Sequence, residues 1–278
     1  MTSETPQVAG TRRGDGRALP PGAGVVPILK QLGAHKFKVV GTGFFLTRYG
    51  VFATAKHVLD DLADYESGTL HPGFILQDEP EGDLIIRRIV GISVSNTADV
   101  GLGQADNGVG RSGRLGPANL RGAISLTRPA INEALVSYGY PENAVLDFEL
   151  KDPPILRGDY IHGKFLSQVA AGSNPFIRHA HYETSLEVRS GASGCPVFNK
   201  TGRIVAIACR GWDFRGAEHE GDDLSSVIPV TQLLPLELGC LRIPSDSWEF
   251  TQIPANRHGA TLTFAELITY GHVDVGAL

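Results

Sequence analysis

The chain has 278 residues, with 25 Lys and Arg against 30 Asp and Glu, a formal charge of −5, and 42% apolar and 20% charged residues. That length can bury one large core or two small ones, and 34 Gly with 17 Pro break it into short segments. The balance excludes a coiled coil, a collagen-like chain and a wholly disordered one. The negative charge supplies no general attraction to nucleic acid or to an anionic membrane.

Residues 1–24 are polar, rich in Thr, Gly, Pro and Arg, and read as a flexible arm without a signal-peptide core. From Val25 onward, short apolar runs alternate with turn residues. Strands are expected over 25–29, 37–40, 44–47 and 51–54, the last two joined at Tyr49-Gly50 as a hairpin. Further strands follow over 85–90 and 100–102, then a Gly/Pro/Asn-containing connection over 111–121. The run 134–138 is expected to end at Gly139-Tyr140-Pro141, because proline has no N–H to continue a ladder. Strands over 146–150, 164–169, 182–188, 196–198 and 204–209 complete the series, with Asn199-Lys200-Thr201-Gly202 as a hairpin turn. Helical patterning is confined to a piece after His57, to 231–238 and to 264–269. No apolar run reaches eighteen residues, so no membrane span is expected. Cys195, Cys209 and Cys240 are an odd, sparse set, which reads as reduced thiols in a cytoplasmic protein.

Three local patterns can carry chemistry: Thr54-Ala55-Lys56-His57-Val58, Ala98-Asp99-Val100 and Gly191-Ala192-Ser193-Gly194-Cys195-Pro196. A serine flanked by glycines on a tight turn exposes its hydroxyl, and the Gly191 and Ser193 amides can then converge on one spot as an oxyanion hole. Losing one such donor costs about 3–4 kcal/mol of transition-state stabilisation. Ser193 needs a base to become a nucleophile, and His57 is the candidate. Asp99 would fix the imidazole tautomer and stabilise the imidazolium. Each pattern is weak by itself; the three in this order, each at a strand end, carry the reading.

These segments resemble the trypsin-like (chymotrypsin-fold) serine peptidases, closest in motif style to the bacterial HtrA/Deg-like protease domain. The resemblance rests on residues 41–46 and 49–58 around the histidine, 97–102 around the aspartate, 136–141, the nucleophile segment 184–196, and Ser226-Val227-Ile228-Pro229. It implies an all-β protein of two packed six-stranded antiparallel barrels with a short C-terminal helical or irregular tail. The expected division is an arm over 1–24, a first barrel over 25–120, a second over 121–235, and an extension over 236–278 packing on the barrels or a partner. The resemblance further implies a Ser193/His57/Asp99 triad, a Gly191/Ser193 oxyanion hole and an acyl-enzyme intermediate. A substrate-binding edge strand is expected at Ala208, Cys209, Arg210 and Gly211. By spacing, Glu187 falls around the floor of the primary pocket; facing it, Glu187 would favour Lys or Arg at the cut, but Arg189 is near enough to neutralise it, and a solvated strand glutamate is the competing reading.

The chain departs from the family at four places. Ala192 replaces the carboxylate that pairs with a newly cut N-terminus, so activation by that ion pair is not expected. Cys195 replaces a glycine and is read as structural. Gly101 follows Asp99-Val100, and Cys209 stands where many relatives carry serine. No cofactor or metal is expected, since His179-Ala180-His181 lacks a third ligand at fitting spacing. The expected partners are a polypeptide substrate and a regulatory protein, the latter because there is no room for the PDZ domain of HtrA relatives. The competing reading is a protease-fold peptide-binding or scaffold subunit with weak or no catalysis.

Overall fold

The computed structural model describes residues 24–47, 50–64, 69–70, 73–78, 84–105, 122–140, 145–147, 156, 158–173, 177–188, 191–211, 224–238, 242–244, 250–252 and 262–276. Residues 1–23 of the expected arm over 1–24, the connection over 111–121, Tyr49, Pro141, Arg189 and Cys240 lie outside the described residues.

The first half forms β1 (Val25–Gln31), β2 (Lys36–Phe45), β3 (Val51–Thr54), α1 (Lys56–Asp60), β4 (Ala63–Asp64), β5 (Thr69–Leu70), β6 (Gly73–Asp78), β7 (Leu84–Val94) and β8 (Gly101–Ala105). β1 pairs with both β6 and β2, so the ring β1-β6-β7-β8-β3-β2 returns on itself. The expected hairpin is present, with Phe44 opposite Ala53 and Phe45 opposite Phe52. Gly50 turns it at φ +93°, and a Cβ there would meet the Ala105 carbonyl at 2.6 Å.

The second half contains β9 (Ala134–Gly139), β10 (Val145–Asp147), β11 (Asp159–Val169), β12 (His181–Thr184), β13 (Pro196–Phe198), β14 (Ile204–Gly211) and β15 (Ser225–Pro229). Six of these close a barrel in the order β11-β12-β15-β14-β13-β9, while β10 crosses to pair with β2 of the first sheet. Leu135, Phe165, Leu186, Val197, Ala208 and Val227 are among the side chains filling the barrel.

A larger apolar cluster joins the two halves. It unites Val58, Leu59 and Val100 of the first half with Ile207, Cys209 and Ile228 of the second. Beyond β15, a 3-10 turn over Val230–Leu233 leads to β16 (Glu237–Leu238). The expected helix over 231–238 is thus reduced to one turn. Pro235 has no N–H to give back to the preceding turn, so the helix cannot propagate. β17 (Arg242–Pro244) pairs with β18 (Phe250–Gln252), and β16 with β19 (Leu262–Thr263). β19 leads into α2 (Phe264–Thr269), which opens with a capping box between Thr263 and Glu266.

Leu236, Leu238, Leu262, Phe264, Leu267 and Val273 are buried in the cluster that joins the halves. Each fully buried side chain of this size contributes about 1.5–3 kcal/mol. The segment then returns to the linker between the halves, where Ile124 N–H donates to Asp274 O (2.8 Å) and Gly276 N–H to Ile124 O (3.0 Å). The tail therefore binds to both halves through apolar burial and backbone hydrogen bonds.

Candidate active site

β3 ends at Thr54, and one extended residue, Ala55, feeds α1, whose second residue is His57. The loop between β7 and β8 brings Asp99 back to this turn. Ser95 shapes that loop, its Oγ accepting from Ala98 N–H at 3.0 Å. His57 Nδ1 donates to Asp99 Oδ2 at 2.7 Å, and the His57 backbone N–H donates to Asp99 Oδ1 at 3.0 Å. Both carboxylate oxygens are thereby engaged by one residue. Nδ1 carries the hydrogen, which leaves Nε2 as the basic nitrogen.

Burial works to raise the Asp99 carboxyl, but the two His57 hydrogen bonds, the ring's charge and nearby His179 outweigh it. The group stays below its ordinary value and remains ionised. His57 keeps half of its side chain exposed (49%), as a group that must meet a ligand requires.

The serine side is built from backbone. Gly191 and Gly194 adopt φ +95° and +88°, a region that side-chain-bearing residues rarely enter. The turn closes with Cys195 N–H donating to Ala192 O (3.0 Å), and Ala208 clamps it through Gly194 N–H to Ala208 O (2.6 Å) and Ala208 N–H to Cys195 O (2.9 Å). On the other flank, Thr42 N–H donates to Ser193 O (2.9 Å) and Thr42 Oγ1 to Gly191 O (2.9 Å). Among the described residues, the Gly191 and Ser193 N–H groups donate to nothing, as vacant oxyanion donors would.

Glycines allow the two halves to touch. A Cβ on Gly194 would fall 2.1 Å from Thr42 O and Thr54 Oγ1. One on Gly41 would strike Val58, the neighbour of His57, at 2.5 Å, and Ser193 O at 3.0 Å. Cys209 adds a further tie, since its Sγ donates to Asp99 O (3.1 Å) and its carbonyl accepts from Ser193 Oγ (3.1 Å). The three predicted side chains are brought to one junction, with the serine hydroxyl turned toward Cys209 O.

Both described cysteines are buried. Burial pushes the Cys195 thiol up to about 12, against the lowering effect of its hydrogen bond with Ser137. Burial likewise raises Cys209 well above the thiol range, reinforced by the Asp99 and Cys195 charges. Neither is a thiolate near neutral pH, so neither has the form that acts as a nucleophile. Ser137 Oγ donates to Pro196 O at 2.7 Å and lies 2.8 Å from Cys195 Sγ.

Two expected binding residues differ in their surroundings. Glu187 is exposed. β12 stops at Thr184, short of the expected 188, and Ser225 Oγ ties Leu186 O to Val188 N–H. Residues 186 and 188 are thereby directed into the barrel's apolar cluster and residue 187 outward. Ala208 has both backbone groups committed to the nucleophile turn, so a peptide strand cannot pair with it. Pairing with β13 ends at Pro196 opposite Ile207, which leaves the β14 backbone from Cys209 through Arg210 to Gly211 as the available edge.

His179 sits within electrostatic reach of Asp99, and its carbonyl meets His181 Nδ1 at 3.0 Å. Burial and His181 hold its imidazolium below the usual range although Asp99 pulls the other way. No metal-binding cluster occurs among the described residues. The roles of Thr42 and Ser225 escaped sequence reasoning. The only available signal for Thr42 was its place between two glycines in Gly41-Thr42-Gly43.

A closed six-strand barrel set against a second β sheet and joined to it by a shared apolar cluster is the chymotrypsin-like architecture. The trypsin-like peptidase domain family matches residues 41–207, and the chain belongs to that family. The solved structure of Deg5 is similar in fold, with a TM-score of 0.51 and 15% identity over 75% of this chain and 84% of that one. A serine endoprotease from Yersinia pestis matches with a TM-score of 0.47 and 18% identity, over 75% of this chain and 59% of its own. No curated protein matches.

Proposed function

We propose that the protein is a serine endopeptidase in which Ser193 is the nucleophile, His57 the general base and acid, and Asp99 the residue that orients His57. The observation that carries this reading is the doubly bonded His57–Asp99 pair tied through Cys209 to a Ser193 turn whose Gly191 and Ser193 amides donate to nothing among the described residues. Ser193 Oγ attacks the peptide carbonyl and His57 Nε2 takes its proton. The Gly191 and Ser193 amides hold the oxyanion, and the leaving amine departs with the proton from His57. Water then repeats the sequence on the acyl-enzyme. The hydroxyl must first turn from Cys209 O to His57, and a substrate N–H arriving at that carbonyl would replace it there.

A proteome-derived peptide library digested by the purified chain should give cuts that vanish in Ser193→Ala, and cuts confined to Lys and Arg would place Glu187 at the primary pocket. The Ser193–Cys209 bond favours the alternative, a catalytically silent peptide-binding module. Digestion equal in the wild type and Ser193→Ala would decide for that module.

A further inference from the structure

Thr42 belongs to β2 in the first half, is fully buried, and touches the nucleophile turn of the second. Its backbone N–H donates to Ser193 O (2.9 Å), and its backbone carbonyl accepts from Thr54 Oγ1 (2.7 Å). Those bonds seat the residue between β3 and the turn. Its hydroxyl makes a further connection: Oγ1 accepts from Tyr140 N–H (3.0 Å) and donates to Gly191 O (2.9 Å). A hydroxyl has a single hydrogen. The Tyr140 amide, fixed just past the end of β9, fills a lone pair, so that hydrogen is directed to Gly191 O. Gly139 packs against the turn beside it, since a Cβ there would fall 3.0 Å from Ala192 Cα.

What the hydroxyl holds is the Gly191–Ala192 peptide. This peptide lies between the two whose N–H groups, those of Gly191 and Ser193, are the oxyanion donors of the proposed reaction. Gly191 has φ +95° and no Cβ, so little in the backbone resists rotation there. The next two carbonyls are held by backbone: Ala192 O accepts from Cys195 N–H (3.0 Å), and Ser193 O from Thr42 N–H. Gly191 O is held by a side chain from the other half of the molecule. Gly191, Ala192 and Gly194 carry no polar side chain that could take its place. Rotation of this peptide turns the Gly191 amide relative to the Ser193 amide, and misaligned donors lose their value at a developing oxyanion.

We infer that Thr42 is a positioning residue for the oxyanion hole. Its hydroxyl, oriented by the Tyr140 amide, fixes the Gly191–Ala192 peptide and so aligns the Gly191 and Ser193 donors. The inference rests on the serine endopeptidase reading and adds to it a first-half side chain that acts on second-half donors.

An ester and its thionoester isolate this role. The substrates are the p-nitrophenyl ester of N-benzoylglycine and the matching compound with sulfur in place of the carbonyl oxygen. In both, Ser193 Oγ bonds to the carbonyl carbon, p-nitrophenolate leaves, and the serine proton passes to His57. Sulfur is a poor acceptor for the two amides, so the thionoester reports Ser193 and His57, whereas the ester also reports the hole. Release of p-nitrophenolate in a single turnover gives both rate constants, and their ratio does not depend on how much of a variant is folded. We expect the wild type to react about 10²–10³-fold faster with the ester, the worth of one donor. Thr42→Val should lower that ratio by at least about 10-fold, and Thr42→Ser should restore it. Thr42→Cys, whose thiol donates weakly, should fall between, and it takes the place of Thr42→Val should that variant not fold. A wild-type ratio near 1, or a ratio unchanged in Thr42→Val and Thr42→Cys even where both rates fall, overturns the positioning role while leaving the hydrolase intact. A wild type that reacts with neither substrate overturns the hydrolase reading, and the positioning role with it.

Discussion

The two banks of the cleft are held by different means. On the first-half bank, side chains do the positioning: both Asp99 oxygens grip His57, and the imidazole remains half exposed. On the second-half bank, backbone does it, through two positive-φ glycines and hydrogen bonds to Thr42 and Ala208. Side-chain positioning can be removed with the fold intact, because it holds little besides its partner. Backbone positioning cannot, because the atoms that aim the serine also join the two halves. Catalytic and structural losses should therefore separate by bank.

The sharpest test of that separation is Asp99→Asn. It should lower kcat about 10⁴-fold by releasing the His57 tautomer, while thermal unfolding changes by only a few degrees. Unfolding at 25 °C together with a fall in kcat would mean that the two banks are not distinct. Phe264→Ala tests the tail that binds both halves. Phe264 is fully buried, and its loss should cost about 3–5 kcal/mol in urea unfolding. Gly194→Ala should cost about 3 kcal/mol, from left-handed strain plus the clash with Thr42 and Thr54, and should lower Tm by roughly 6–12 °C. Acid unfolding sharpens the first-half side. A carboxyl held below its ordinary value of 3.8 contributes stability above that pH and loses it as pH falls through the depressed value. Asp99→Asn should flatten the stability slope between pH 4 and pH 2, as followed by urea titration. The smallest expected effect is Thr263→Ala, about 1 kcal/mol from loss of the α2 cap.

Much of this arrangement was legible in the chain. Alternating apolar runs and turn residues gave the β2–β3 hairpin. Glycine flanks around Ser193 gave the turn because only glycine adopts its two positive φ values without strain. Other parts were not legible, for physical reasons. β6 offers only Phe74-Ile75-Leu76 as an apolar run, too short to announce a six-residue strand. β12 was read through residue 188, but the chain leaves the ladder after Thr184, and one side-chain bridge from Ser225 decides which way Glu187 faces. A bridge between residues 39 apart leaves no local pattern. The contribution of His179 is likewise tertiary, set by where the loop before β12 meets Asp99.

The central claim is that Ser193 becomes a nucleophile through His57. Intact-mass measurement after treatment with diisopropyl fluorophosphate, with peptide mapping of the adduct, tests it most directly. A single diisopropylphosphoryl group on Ser193 of the wild type, absent from His57→Ala under the same conditions, is the predicted result. An unmodified wild type, or equal modification of both proteins, would contradict it.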